Sequence, residues 1–204
     1  MTMARQEREQ FADMLEGLAP HQWEAETLCE RWRVRDVAAH VISYDELGPV
    51  GLVQRFAKGL FLVNRVNAVG VGDFADRTPL EIVELMRRHA EPSGLTAGFG
   101  GLIALTDGMI HQQDIRRALG FPRTIATDRL LAALNFARTA PTIRGAWRAR
   151  GVRLVATDLD WAAGRGPEVR GPGEALLMAM AARPAALADL EGPGKAKLAG
   201  HIGG

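Results

Sequence analysis

The sequence predicts a mainly α protein: a four-helix bundle followed by a small α+β unit. Three observations carry this. Through the first 150 positions, apolar residues recur at three- and four-residue spacing, the period of helices that bury one face. Helix stop signals punctuate the pattern: Gly17, Gly48-Pro49, and Gly120 with Pro122 close behind. Beyond that stretch the period changes, and Val152, Leu154 and Ala156 alternate with Arg153, Val155 and Thr157, as in a strand. The expected division is a helical bundle over residues 1–150 and a smaller unit over 151–204.

Taken in order, Phe11, Met14, Leu15 and Leu18 give the first helix one apolar stripe, and Gly17 and Pro20 end it. A connector carrying Trp23, Thr27, Cys29 and Trp32 follows. Val34, Val37, Ala38, Val41 and Ile42 define the second helix. Residues 52–69 are apolar and broken by glycines, which reads as a helix with a loop, the long connection of a bundle or its lid. Thr78-Pro79 with Glu81 has the chemistry of a helix start: a hydroxyl to accept a free N–H, a proline where no N–H is needed, and a carboxylate that reaches back. That helix runs through Ile82, Leu85 and Met86 to Ala90. Glycines at 94, 98, 100 and 101 make a loop, and residues 102–119 form the next helix. Residues 128–150 read as one further long helix with a weak point at Pro141. Gly164, Gly166 and Pro167 turn the chain between short strands, and residues 173–182 return to helix.

The chain has 204 residues, 47% hydrophobic and 24% charged, with a formal charge of +1. Such a balance gives no electrostatic case for nucleic acid or an anionic membrane, and the scattered basic residues have too few aromatics beside them for a base-stacking platform. No apolar run approaches the roughly 20 residues of a membrane span. A single cysteine, Cys29, excludes an internal disulfide, and the polar opening residues lack the pattern of a secretory leader. The expectation is a soluble, cytoplasmic protein acting on a small molecule, with homodimer formation left open.

Asp107 and His111 lie four apart on one predicted helix and project from one face, with Asp114 three residues further along the stripe. A carboxylate and an imidazole at this spacing can share a metal ion once a third ligand arrives. His40, on the flank of the second helix beside its apolar stripe, is the natural candidate. Three N,N,O ligands leave a position for water or substrate, which is the arrangement of a catalytic centre. Bundles hold such sites between facing helices. The same spacing is also that of an ordinary surface pair, and spacing alone does not separate the two.

Other residues carry two readings each. Asp114 is an outer partner of His111, or an ion-pair partner of Arg116 or Arg117. Asp36, four residues before His40, is an outer acceptor for that imidazole or a helix-start carboxylate. Cys29 reads as a packed small side chain rather than a nucleophile. Trp23 and Trp32 pack the connector over the bundle end, or line a substrate cleft. Arg183 meets an anionic substrate, or simply favours a helix C-terminus. His21, His89 and His201 lack acidic partners at useful spacing and read as surface residues, His201 in a mobile glycine-rich tail.

At these residues the sequence resembles a known family. WEAETLCERWRVRDVAAH, residues 23–40, looks like the N-terminal signature of the mycothiol-dependent maleylpyruvate isomerase family, within the DinB-like superfamily. TDGMIHQQDIRRALG, residues 106–120, resembles the second signature of that family: an acid, three positions, histidine, two positions, aspartate and a helix end. GVRLVATDLDWAAGRGPEVRGPGEALL, residues 151–177, is similar to its C-terminal domain, of sterol-carrier-like type. The resemblance runs in order over nearly the whole chain. It implies a DinB-like bundle that holds a divalent ion, usually zinc, through His40, Asp107 and His111; better-known members carry glutamate where Asp107 stands. It further implies mycothiol or a similar thiol as co-substrate. Thiolate addition to a conjugated double bond, rotation and elimination make an isomerase, and addition without elimination makes a transferase. Two readings stand beside this: a bundle that binds metal and ligand without turnover, and a metal-dependent hydrolase.

Overall fold

The computed structural model describes residues 1–203 and divides the chain into two compact units, Met1–Pro122 and Arg123–Gly204. In the first unit the α-helices are α1 (Thr2–Glu16), α2 (Val34–Ile42), α3 (Pro49–Lys58), α4 (Val63–Gly72), α5 (Pro79–Arg88) and α6 (Leu102–Leu119). α1 lies against α5 and α6, and α2 lies against the same two, which closes a four-helix bundle. The buried side chains that fill it are those the periodicity marks: Phe11 and Leu15 from α1, Val37 and Ile42 from α2, Ile82 and Met86 from α5, and Ile115 from α6. Trp23 packs into the same core from the 3-10 turn Pro20–Glu24.

Local chemistry sets the helix ends. At the start of α5 the Glu81 carboxylate accepts the Thr78 N–H at 2.7 Å while the Thr78 hydroxyl accepts the Glu81 N–H, the reciprocal cap expected there. α6 begins after Gly101 (φ 90°) and stops at Gly120 (φ 70°), both in the left-handed region that side chains with a Cβ disfavour. A Cβ on Gly101 would also stand 3.0 Å from Met1 Sδ and 3.3 Å from Ala4 Cβ, so glycine lets α1 approach the start of α6. The apolar stretch 52–69 is part of a helical hairpin, α3 and α4, joined through Leu60 and Phe61 at positive φ.

One buried ion pair ties this unit together. Arg8 of α1 meets Asp45, in the turn after α2, through two nitrogens at 3.0 and 2.8 Å, and both side chains are 0% exposed. Asp45 also accepts the Ser93 N–H at 2.9 Å and the Thr96 hydroxyl at 2.7 Å from the turn that leads into α6, while Arg8 donates to the His89 carbonyl.

The second unit holds α7 (Thr127–Thr139), α8 (Gly145–Arg148), α9 (Gly173–Met180) and α10 (Lys195–Ile202), with strands β1 (Arg153–Ala156), β2 (Ala162–Gly164) and β3 (Glu168–Gly171). The sheet order is β2-β1-β3. β1 runs antiparallel to β2, Leu154 opposite Ala163, and parallel to β3, Leu154 opposite Val169.

Three expectations change here. The stretch from residue 128 to 150 is not one helix: α7 stops at Thr139 ahead of Pro141, which has no N–H to extend it, and the chain turns through Arg144 at φ 55°. α7 packs on α9, so the boundary between units falls after Pro122 rather than after residue 150. His201 is not in a mobile tail. It sits in α10, whose Leu198 and Ile202 are buried, and its Nδ1–H donates to the Arg148 carbonyl at 2.9 Å.

Removing one partner of a fully buried ion pair strands the other charge, at a cost of about 3–5 kcal/mol. Asp45→Ala is therefore expected to lower the unfolding free energy by about that amount in urea titrations followed by circular dichroism. A loss under about 1 kcal/mol, the range of an exposed pair, would contradict this role.

Candidate metal centre

α2 starts with Arg33 in extended conformation, its N–H donating to the Asp36 carboxylate at 2.9 Å. Asp36 is thus the helix-start carboxylate, which corrects its alternative reading as an outer partner of His40. One turn further on, His40 turns inward and is buried. Its Nδ1 is buried without a hydrogen-bond partner among the described residues.

α6 brings the other two donors. Along its stripe the side chains pass from half-exposed to fully buried: Asp107 is 39% exposed, His111 10% and Asp114 0%. Asp107 Oδ1 stands 3.7 Å from His40 Nε2 and 3.5 Å from His111 Nε2. The two imidazole rings meet edge to face, 4.8 Å between centroids. One donor atom from each of the three residues lies within 4.8 Å of the others. The two carboxylate distances are long for hydrogen bonds. They are close to the spacing of ligands around a tetrahedral zinc ion, where bonds near 2.0–2.1 Å put donors about 3.3 Å apart. The donor set and its spacing therefore fit a divalent ion, and Asp107 gives the group its solvent-facing side.

Around the trio, Asp114 Oδ2 receives the Nδ1–H of His111 at 3.0 Å, which turns Nε2 toward Asp107. Asp114 is thus a hydrogen-bond partner of His111. Cys29 Sγ lies 3.1 Å from the same Asp114 oxygen and 3.5 Å from His111 Nδ1. These three also form a potential donor cluster, but separations of 3.0 and 3.1 Å are those of hydrogen bonds already made. Trp32 packs against both imidazoles, its ring 4.9 Å from His40 and 6.3 Å from His111. Trp23 is core. Arg183 belongs to the second unit, where its guanidinium donates to the Ala181 carbonyl at 2.8 Å.

Two participants escape sequence reasoning. Tyr44, one helical turn past His40, stands edge-on to it at 6.2 Å with its hydroxyl donating to Asn67 at 2.6 Å. The i, i+4 spacing from His40 is the signal that points to it. Arg55, buried, lies over the Tyr44 ring at 5.2 Å and donates to Ser43 and Asp73. His89, expected to lack an acidic neighbour, has Glu46 at 3.4 Å, a partner supplied by another segment of the chain.

Burial opposes charge on all three donors, and their neighbours decide the outcome. For His40 burial prevails over the pull of Asp107 and holds the imidazole below its ordinary value of 6.5. For His111 burial is outweighed by Asp107, with Asp114 and Cys29 adding hydrogen bonds, and its pKa is raised well above 6.5. Burial would raise Asp107, but His111 and His40 together hold its carboxyl far below the usual range. Burial keeps Tyr44 a neutral phenol.

A sequence profile described as the mycothiol maleylpyruvate isomerase N-terminal domain matches residues 4–114. The chain belongs to this family. The matched segment runs from α1 into α6 and includes His40, Asp107, His111 and Asp114. Two crystal structures of the mycothiol-dependent maleylpyruvate isomerase share the fold of this family member. One, of an alanine mutant, has a TM-score of 0.60 at 14% identity and covers 94% of this chain and 90% of that chain. The other has a TM-score of 0.50 at 14% identity, covering 89% and 87%. No curated protein matches the sequence significantly.

In the metal-free protein the two histidines should titrate on opposite sides of 6.5, His111 above and His40 below, in histidine 15N–1H spectra. Asp107→Asn should bring His111 back down; no downward movement would remove the carboxylate as the cause. Stability follows the same shifts. The part due to His111 is whole below 6.5 and is lost as pH rises through its raised pKa. That due to Asp107 is whole above 3.8 and is lost as pH falls. His40 withdraws stability as pH drops below 6.5, because the unfolded chain takes up a proton that the buried ring refuses.

Proposed function

We propose that this protein is a metal-dependent enzyme that uses a low-molecular-weight thiol to isomerise a small unsaturated molecule, or to transfer the thiol onto one. The observation that carries the reading is the convergence of His40 Nε2, His111 Nε2 and Asp107 Oδ1, two buried nitrogens and one solvent-reaching oxygen. Membership of the mycothiol maleylpyruvate isomerase family and the fold shared with that enzyme support the thiol and the isomerisation.

His40, Asp107 and His111 are the residues that would hold the ion, and two imidazoles with one carboxylate are a donor set that zinc accepts in catalytic sites. A divalent ion bound there supplies Lewis-acid chemistry, lowering the pKa of a thiol that meets it. The chain's own residues do the rest. Asp114 keeps the His111 proton on Nδ1, so Nε2 stays a ligand. Trp32 packs on both imidazoles and Tyr44 stands edge-on to His40, so aromatic rings line one side of the site. The isomerisation is the thiol's own chemistry: a C–S bond forms at one end of the double bond, the remaining single bond rotates, and the C–S bond breaks to return thiolate and the isomer.

Purified protein is expected to carry one divalent ion per chain by elemental analysis, and His40→Ala or His111→Ala to lose it. A wild-type protein without stoichiometric metal would sink the reading. Loading zinc into stripped protein near neutral pH should release about one proton, mostly from His111, read by calorimetry in buffers of different ionisation enthalpy.

With mycothiol and maleylpyruvate, product should form only when thiol is present, and His40→Ala should slow it by more than about 100-fold. Turnover without thiol would favour hydrolysis, and ligand binding without turnover would favour a sensor.

A further inference from the structure

Cys29 is the single thiol of the chain, and the connector that carries it is built to place it. The Thr27 hydroxyl donates to the Trp32 carbonyl at 2.9 Å and accepts the Cys29 N–H at 3.1 Å. Arg31 takes a positive φ of 67° to complete the turn. The Leu28 N–H then donates to the Asp114 carbonyl at 3.2 Å, fastening the loop to α6 at one residue. That residue is the one whose carboxylate stands behind His111. The outcome is a thiol 3.1 Å from Asp114 Oδ2, the oxygen that also receives the His111 Nδ1–H at 3.0 Å.

We infer that Cys29 is a positioning residue for the proposed metal centre: its S–H holds Asp114 Oδ2 in line with His111, so that Nε2 of His111 faces Asp107 and His40. The inference rests on the metal reading of His40, Asp107 and His111. Asp114 is fully buried, and a buried carboxylate takes its direction from the donors that reach it. A carboxylate behind a ligating histidine fixes both its tautomer and its ring orientation. A thiol is a weak donor, so Cys29 trims the orientation that Asp114 imposes and does not replace it. The thiol serves as a donor to an oxygen already shared with His111, which is the geometry of a support rather than of a poised nucleophile. The same short loop carries Trp32 onto the two imidazoles, so one turn of chain supplies both the cover of the site and its rear brace.

The test measures zinc affinity of metal-stripped protein by competition with a chromophoric chelator, with cobalt spectra as a check of ligand geometry. Cys29→Ala is expected to weaken binding by about tenfold, at the low end of losses for outer partners, and Cys29→Ser, which keeps a donor, to recover most of it. In an Asp114→Asn background Cys29→Ala should add little further loss, because the two act through one contact. If Cys29→Ala fails to fold by circular dichroism, Cys29→Val refills the volume without a donor and takes its place. Wild-type affinity in the variant without a donor overturns the inference, as do serine failing like alanine and fully additive losses. Failure of the wild type itself to bind zinc overturns the metal reading instead.

Discussion

Two buried imidazoles that share one solvent-reaching carboxylate are the constraint to which this unit answers. Each loses hydration on burial, and a charge so placed persists only where an opposite charge or a hydrogen bond replaces the lost water. Asp107 does this for His111 in the free protein, and His40 stays neutral. A divalent ion bound there would replace that local balance with a stronger one, since it needs both rings neutral and the carboxylate ionised. The edge-to-face rings, Trp32 and the buried Asp114 behind His111 surround that small volume, and Asp107 gives it its solvent-facing side.

Such a site needs α2 and α6 held at a fixed separation, and the Arg8–Asp45 pair contributes to this from a distance. Asp45 stands in the turn where α2 ends, and its other donors, Ser93 and Thr96, stand in the turn that opens into α6. A single carboxylate thus joins the exit of α2, the approach to α6, and α1. Gly101 lets α1 close on the start of α6. Buried pairs of this kind are weak sources of net stability but severe penalties when broken, so they favour one arrangement over near alternatives.

The family resemblance places glutamate where this chain has Asp107. Aspartate is one methylene shorter, so its helix has to come nearer for the oxygen to reach both histidines. Here one Asp107 oxygen stands within 3.7 Å of both Nε2 atoms. The three donors converge with aspartate at this position.

Much of the fold was legible in the chain because helices are written in short-range patterns. The stripe of Phe11, Met14 and Leu15, the Thr78–Glu81 cap, the stop at Gly120 and the shared face of Asp107 and His111 each depend on neighbours within a turn or two. The sequence by itself determined those elements, and it put Asp107 and His111 on one face of a helix. Tertiary structure decided between the readings the sequence left open for His40, Asp36 and Asp114, and it alone put Cys29 beside Asp114, Glu46 beside His89 and α7 with the second unit. The physical reason is range. Periodicity and capping are local energies that leave a mark at every residue, whereas convergence of distant side chains follows from how whole helices and loops pack, and no local pattern records it.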